Sequence, residues 1–398
     1  MPGIDGKRFI EALEEPSPVT VRLNVRKPGA FFNDAEKVPW CENAFYLPQR
    51  PDFIFDPLLH AGAYYVQEAS STIYETVTKK LVEETGDNRL AILDLCAAPG
   101  GKTTAMINAM ADGSFIWANE FVGKRAAVLR ENLTKWGYDN IRITNLDTSF
   151  FADGSYLFDI VAVDAPCSGE GMMRKDETAR RQWSPGLIEQ CASLQRQILA
   201  NAANAVKPGG FLVYSTCTFN TTENEDNALF IKNELGMEPF DLKLPKEWNI
   251  MSGIETDLPV IRFMPHQTLG EGLFLAVFRK PGERTPSLIN QFLEDGERKS
   301  KKTKKPGNGK ISAKEEKNTV PIEKILSADF DTSSYPCVSV TREEALSYLH
   351  GDILFLPEDT PRGQVIVTYG GFPLGAVNNI GQRANNLYPK NWRIKKSL

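Results

Sequence analysis

Between residues 90 and 215 the chain alternates short apolar runs with longer segments of helical spacing. The runs at 91–95, 115–119, 141–145, 160–163 and 211–214 predict strands, and 103–111, 123–136 and 185–205 predict helices between them. Strands buried on both faces read as near-continuous apolar runs, and βαβα alternation implies an α/β architecture with a parallel, doubly covered sheet. Runs at 258–263 and 273–278 fit an antiparallel pair closing that sheet. Upstream, 73–84 predicts a helix and 19–26 a strand with Arg22, Asn24 and Arg26 on one face. That face reads as a solvated edge or as a surface for an anionic partner. Beyond residue 319, short runs at 352–356 and 364–369 between turn residues predict a small β-rich domain. The expected organisation is an N-terminal α+β region at 1–75, the α/β unit at 76–282, a linker at 283–319 and a C-terminal domain at 320–398.

Composition changes this picture in a few places. A chain of 398 residues suggests two or three domains with ample core. A net charge of −5 argues weakly against a nucleic-acid partner, yet attraction depends on where basic residues cluster. They cluster in the apolar-poor run 298–310, which reads as a flexible basic linker, and again at 388–396, where Tyr388 and Trp392 alternate with Lys390, Arg393, Lys395 and Lys396. Rings interleaved with cations suit stacking and backbone contact on RNA. Six irregularly spaced cysteines without a CxxC pair, and three scattered histidines, point to reduced cytoplasmic thiols and to no metal site. No apolar stretch approaches the roughly 20 residues of a membrane span, and no signal-peptide core opens the chain.

Chemistry concentrates where strands end. Asp164-Ala-Pro-Cys167-Ser-Gly169 and Tyr214-Ser-Thr-Cys217-Thr218 each follow a predicted parallel strand. Ligands of such sheets bind beyond the carboxyl ends of the strands, so the two thiols should share one pocket and take part in covalent chemistry. Cys96, Ala97, Ala98, Pro99, Gly100, Gly101, Lys102 and Thr103 form a strand-to-helix turn whose glycines let the backbone approach a ligand. This turn is neither the dinucleotide fingerprint nor the phosphate-binding loop, which disfavours nicotinamide and nucleoside-triphosphate ligands. Glu120 is placed to accept hydrogen bonds from a ribose diol and Asp147 to reach an adenine amine, with Asp164 at a third strand end. Three carboxylates would repel a pyrophosphate but suit S-adenosyl-L-methionine, which carries a sulfonium and no phosphate. Any one of these acids could instead cap a helix.

Taken together, Cys96–Thr103, the stretch from Asp164 to Asp176, and Tyr214–Thr218 followed by Glu223-Asn224-Glu225 resemble the RNA cytosine-5 methyltransferases of the Nop/Sun type, and most closely their bacterial RsmF-like branch acting on 16S ribosomal RNA. Tyr65–Ser71 and Pro265–Gly272 extend the likeness. The resemblance implies a Rossmann-like class I methyltransferase sheet, an N-terminal RNA-binding region and, through Gly371–Gly375 and Tyr388-Pro389-Lys390, a PUA-like RNA-binding domain. It implies Cys217 as nucleophile, Cys167 as an aid to product release, and Asp164 and Lys102 at the cytosine edge. It implies a monomer acting on 16S ribosomal RNA or the small subunit; tRNA methylation and a non-catalytic assembly role are the alternatives. Lys124, Arg174 and Lys175 are candidates for phosphate or cofactor contacts.

Overall fold

The chain opens with the helix Gly6–Glu14 and an antiparallel sheet of β1 (Val19–Leu23), β2 (Glu36–Lys37), β3 (Ala44–Leu47) and β4 (Tyr64–Val66), ordered β2-β3-β1-β4. The apolar runs that follow become β5 (Ala91–Asp94), β6 (Phe115–Asn119), β7 (Ile141–Thr144), β8 (Phe158–Asp164) and β9 (Val206–Thr216). Then come β10 (Glu238–Pro239), β11 (Ile261–Phe263) and β12 (Leu273–Arg279), and finally β13 (Cys337–Ser339), β14 (Gly363–Tyr369), β15 (Phe372–Asn379) and β16 (Ala384–Asn386). This computed structural model describes residues 4–29, 31, 32, 34–87, 89–289, 292 and 319–396. The basic run at 298–310 lies outside the described residues.

The central sheet runs β10-β12-β9-β8-β5-β6-β7, with β11 beside β12. Strands β5 to β9 pair in parallel, whereas β12 is antiparallel to β9 and to β11, closing the sheet as its sequence pattern suggests. Successive strand residues face opposite sides. Ile92, Ile116, Ile160 and Val213 pack with residues of the helices Ile73–Thr85, Gly101–Ala109 and Gly123–Trp136. Leu93, Trp117, Val161 and Leu212 pack on the other face with Pro185–Ala205 and Glu225–Asn233. This is the doubly wound arrangement, and the chain reverses direction across the sheet between β5 and β8. A crevice therefore opens beyond the ends of those two strands.

Two expectations fail. Strand β1 stops at Leu23, and the Arg22 face is neither solvated nor free for an anion: Arg22 is fully buried and donates to Gln67 Oε1 (2.8 Å), Thr104 Oγ1 (2.5 Å) and the Gly101 carbonyl (3.2 Å). Asn24 donates to the Gly62 and Trp136 carbonyls, and Arg26 pairs with Asp112 at 2.5 Å. These side chains weld the N-terminal sheet to the α/β unit. The run 352–356 forms no strand, only a single bridge from Leu354 to Ala384, because the β13-β14-β15-β16 sheet is completed without it. The segment after β12 is held at its start, where Arg284 reaches Asp87 (2.7 Å) and buried Asp159 (3.2 Å). Lys27, also buried, donates to the carbonyls of Ala61 (2.8 Å), Lys135 (2.7 Å) and Leu326 (2.7 Å), joining all three parts of the chain at one point.

Candidate active site

The register of β8 on β9 sets Asp164 opposite Ser215, so Cys167 and Cys217 leave the sheet side by side. Their sulfurs lie 3.4 Å apart. Two carboxylates tie the loops that carry them. Glu223, buried, accepts from Ser168 N (3.0 Å), Gln195 Nε2 (2.7 Å) and Asn220 Nδ2 (2.8 Å). Glu170 accepts from Phe219 N (2.6 Å) and Asn220 N (3.0 Å), just beyond Cys217. Gly171 N donates to the Cys217 carbonyl at 2.7 Å, and a Cβ on Gly171 would stand 2.6 Å from that oxygen. Only glycine permits this approach.

Lys102, at the start of the helix Gly101–Ala109, donates to Asp164 Oδ2 at 2.7 Å, and Ser215 Oγ donates to Asp164 Oδ1 at 2.7 Å. Burial alone would lower the Lys102 pKa, but Asp164, with Cys217 and Glu68 behind it, raises it instead. The thiols are driven apart. Cys217 is held below the ordinary thiol value by the hydrogen bond from Cys167, helped by Lys102 and opposed by burial and Asp164. The same hydrogen bond, with burial and Glu223, pushes Cys167 well up. Of the two sulfurs, Cys217 is therefore the readier to lose its proton and Cys167 the readier to keep one.

A cavity of about 190 Å³ beside this group is lined by Tyr65–Glu68, Ser71, Asp94, Cys96–Pro99, Gly101, Lys102 and Asp164. The turn from Cys96 is fixed from outside: Arg125 donates to the Ala98 carbonyl (2.7 Å) and Asn132 to the Pro99 carbonyl (2.8 Å), with Gly100 at φ +111°. Burial pushes the carboxyl of Asp94 up to about 7, with Thr103 Oγ1 donating to it at 2.5 Å. Neither Glu120 nor Asp147 lines this cavity, although the Glu120 carboxylate is near enough to help push up the pKa of Asp94 and Cys96, which do. Glu120 Oε1 accepts from Val122 N (2.9 Å), while Oε2 is buried without a hydrogen-bond partner, 3.6 Å from Arg125. An orphaned acceptor at a strand end fits the ribose of S-adenosylmethionine. Asp147 is exposed, and its Oδ1 caps the turn Thr148–Phe151 through Ser149 N at 2.9 Å.

Other sequence candidates serve the fold. Arg174 donates to the carbonyls of Glu15 and Pro16 (both 2.8 Å), clasping the end of the first helix, and Lys175 pairs with Glu271. Lys124 is exposed. Tyr388 is buried against Tyr348, so its ring is not free for stacking on RNA, while Trp392 is half-buried, edge-on to Tyr388 and beneath Lys135. Sequence reasoning gave no role to Asp94, Glu170 or Glu223, although Glu170 and Glu223 stand inside the quoted motifs. For Asp94 the available signal was an acid closing the apolar run 91–95. Among the described residues, no group of three potential ligands could hold a metal ion and no helix is long and apolar enough to cross a membrane.

Known proteins place this geometry in context. Ribosomal RNA small subunit methyltransferase F of Enterobacter sp. (strain 638) is 29% identical over 445 residues, covering 96% of this chain and 91% of that protein. The protein of the same name from Shewanella amazonensis is 30% identical, covering 89% and 85%. A methyltransferase homolog of known structure from Pyrococcus horikoshii aligns with a TM-score of 0.59 at 27% identity, over 69% of this chain and 90% of that one. Residues 2–69 match the N-terminal domain of 16S rRNA methyltransferase RsmF, and residues 335–394 the methyltransferase RsmF PUA domain. Residues 80–279, half of the chain, match 16S rRNA methyltransferase RsmB/F, and the chain belongs to that family.

Proposed function

We propose that this protein methylates C5 of cytosine in 16S ribosomal RNA through a covalent adduct between Cys217 and C6 of the base. The observation that carries the reading is the thiol pair: a Cys217 favoured as thiolate, 3.4 Å from a Cys167 that keeps its proton. S-adenosylmethionine supplies an electrophilic methyl group on a sulfonium; the turn Cys96–Lys102, Glu120, Asp94 and Asp164 would hold it.

C5 of cytosine is too weak a nucleophile to take a methyl group unaided. Attack of the Cys217 thiolate on C6 forms an S–C6 bond and moves the ring electron pair toward C5. Lys102, kept protonated by Asp164, offsets the negative charge that spreads over the ring. Once C5 is methylated, the Cys217 sulfur is a thioether and no longer a thiolate. The hydrogen bond that held the Cys167 pKa up is then gone, so Cys167 can release its proton to solvent and, as a thiolate, take the remaining hydrogen from C5. The electron pair left at C5 expels the Cys217 thiolate and restores the aromatic ring. A base that reaches such a pocket leaves its stack first.

The test is transfer of a tritiated methyl group to naked 16S ribosomal RNA, assembled small subunits and tRNA. Label recovered as 5-methylcytosine in a ribosomal sample is expected. Label in tRNA alone would move the substrate, and no label with cofactor binding intact would leave a non-catalytic assembly role. Cys167→Ala should accumulate a covalent protein–RNA adduct on a denaturing gel; a variant that releases product normally would remove Cys167 from the mechanism.

A further inference from the structure

A second cavity, of about 540 Å³, lies between the N-terminal region and the C-terminal domain. Its wall carries four aromatic side chains, Phe32, Phe53, Phe55 and Tyr64, with Asp52, Asp56 and Arg342 at their edges. The rings brace one another: Phe32 meets Tyr64 edge-on at 5.2 Å, and Phe53 lies 6.2 Å from Tyr64. Phe32 holds φ at +56°, a conformation that aromatic residues rarely adopt. Strain of this kind persists where surrounding structure fixes it, often beside a ligand.

Charge decides the class of ligand. Asp56 is already engaged, accepting from Leu58 N (3.0 Å) and from Tyr64 Oη (2.7 Å). Asp52 is paired with Lys396 at 3.0 Å, and that ammonium sits 5.3 Å from the Phe55 ring. Both carboxylates thus have oxygens already held by partners inside the protein, and the Asp52 charge is opposed by Lys396. Arg342, which lines the cavity, donates to the Phe55 carbonyl at 3.0 Å, and Arg50, outside the lining, lies over the Phe53 ring at 5.6 Å, so with Lys396 three cations stand around the two carboxylates. Aromatic walls under a cationic rim suit a nucleobase with its phosphate outside. The volume falls within the roughly 300–1,000 Å³ of ordinary ligand sites.

We infer that this cavity receives one unstacked nucleotide of the RNA substrate, its base against Phe55 and Phe32 and its phosphate at Arg50 and Arg342. The inference rests on the RNA reading above and adds a second grip on the strand, away from the thiols. It uses the seam between the two terminal parts of the chain rather than the Tyr388 ring, which is packed away.

The test uses the full-length protein with thiouridine- and thioguanosine-substituted 16S ribosomal RNA, irradiated and mapped by peptide mass spectrometry. Cross-links on the peptide bearing Phe53 and Phe55 are expected. Phe55→Ala should raise the RNA concentration for half-maximal methylation about tenfold, the effect of losing one stacked base, while cofactor affinity is unchanged. Phe55→Tyr, which keeps the ring, should restore it, and Phe32→Ala should act in the same direction. Cross-links confined to other surfaces, with unchanged RNA dependence in both alanine variants, would overturn the site and leave the methylation reading standing. Cross-links at Phe55 in a protein that methylates no RNA would uphold the site and overturn the chemistry instead.

Discussion

Lys102 and Lys27 are both withdrawn from solvent, yet they end in opposite states. Lys102 meets Asp164 at 2.7 Å, and its pKa is raised despite burial. Lys27 meets three carbonyl oxygens, and burial lowers its pKa to about 7, with Asp139 opposing. A carbonyl dipole can satisfy an ammonium's hydrogens without replacing the water that stabilised its charge; a carboxylate can do both. The first arrangement suits a junction, where fixed geometry matters. The second keeps a positive charge in place beside Cys217, as the proposed mechanism requires.

Four substitutions would break or sharpen that contrast. The largest effect belongs to Cys217→Ala, for which methylation should be undetectable while cofactor binding persists, as equilibrium dialysis would report. Next, Lys102→Met should lower kcat about 10²–10⁴-fold and move the acid limb of the pH–rate profile upward, because Lys102 helps hold the Cys217 pKa down. Unchanged turnover there would reduce Lys102 to a structural residue. Lys27→Met should leave kcat near wild type but cost about 1–3 kcal/mol of stability through its unpaired carbonyls. The native Lys27 pKa of about 7 lies below the ordinary 10.5, so between those values the unfolded chain holds more protons and stability rises with pH. Thermal melts across that window should lose this slope in Lys27→Met. Smallest of all, Glu177→Gln removes the exposed pair with Arg181 and should shift stability by less than about 0.5 kcal/mol.

The parallel core was legible because each strand announces itself locally: 115–119 and 185–205 in the sequence coincide with β6 and the helix Pro185–Ala205. The thiol crevice was legible for a related reason, since strand ends converge in any doubly wound sheet. What escaped was decided by distant partners. Arg22 and Asn24 alternate with apolar residues just as solvent-facing charges would, and partners far along the chain, among them Gly62, Gln67, Gly101, Thr104 and Trp136, make that face an interior. Tyr388 looked like an RNA platform because its neighbours are basic, whereas Tyr348 claims its ring. Asp147 shows the ambiguity within one residue: the spacing that suits an adenine contact also suits a cap, and Oδ1 is occupied as a cap.

The approach of the two thiol-bearing loops depends on something the chain lacks. At Gly171 the backbone of one loop lies against the carbonyl of Cys217 in the other, in space that a single methyl group would fill. How closely the loop of Cys167 can lie against that of Cys217 is therefore gauged by a hydrogen where every other residue type carries a carbon. Reactivity here is a matter of clearance, and the tolerance of the machine is one atom wide.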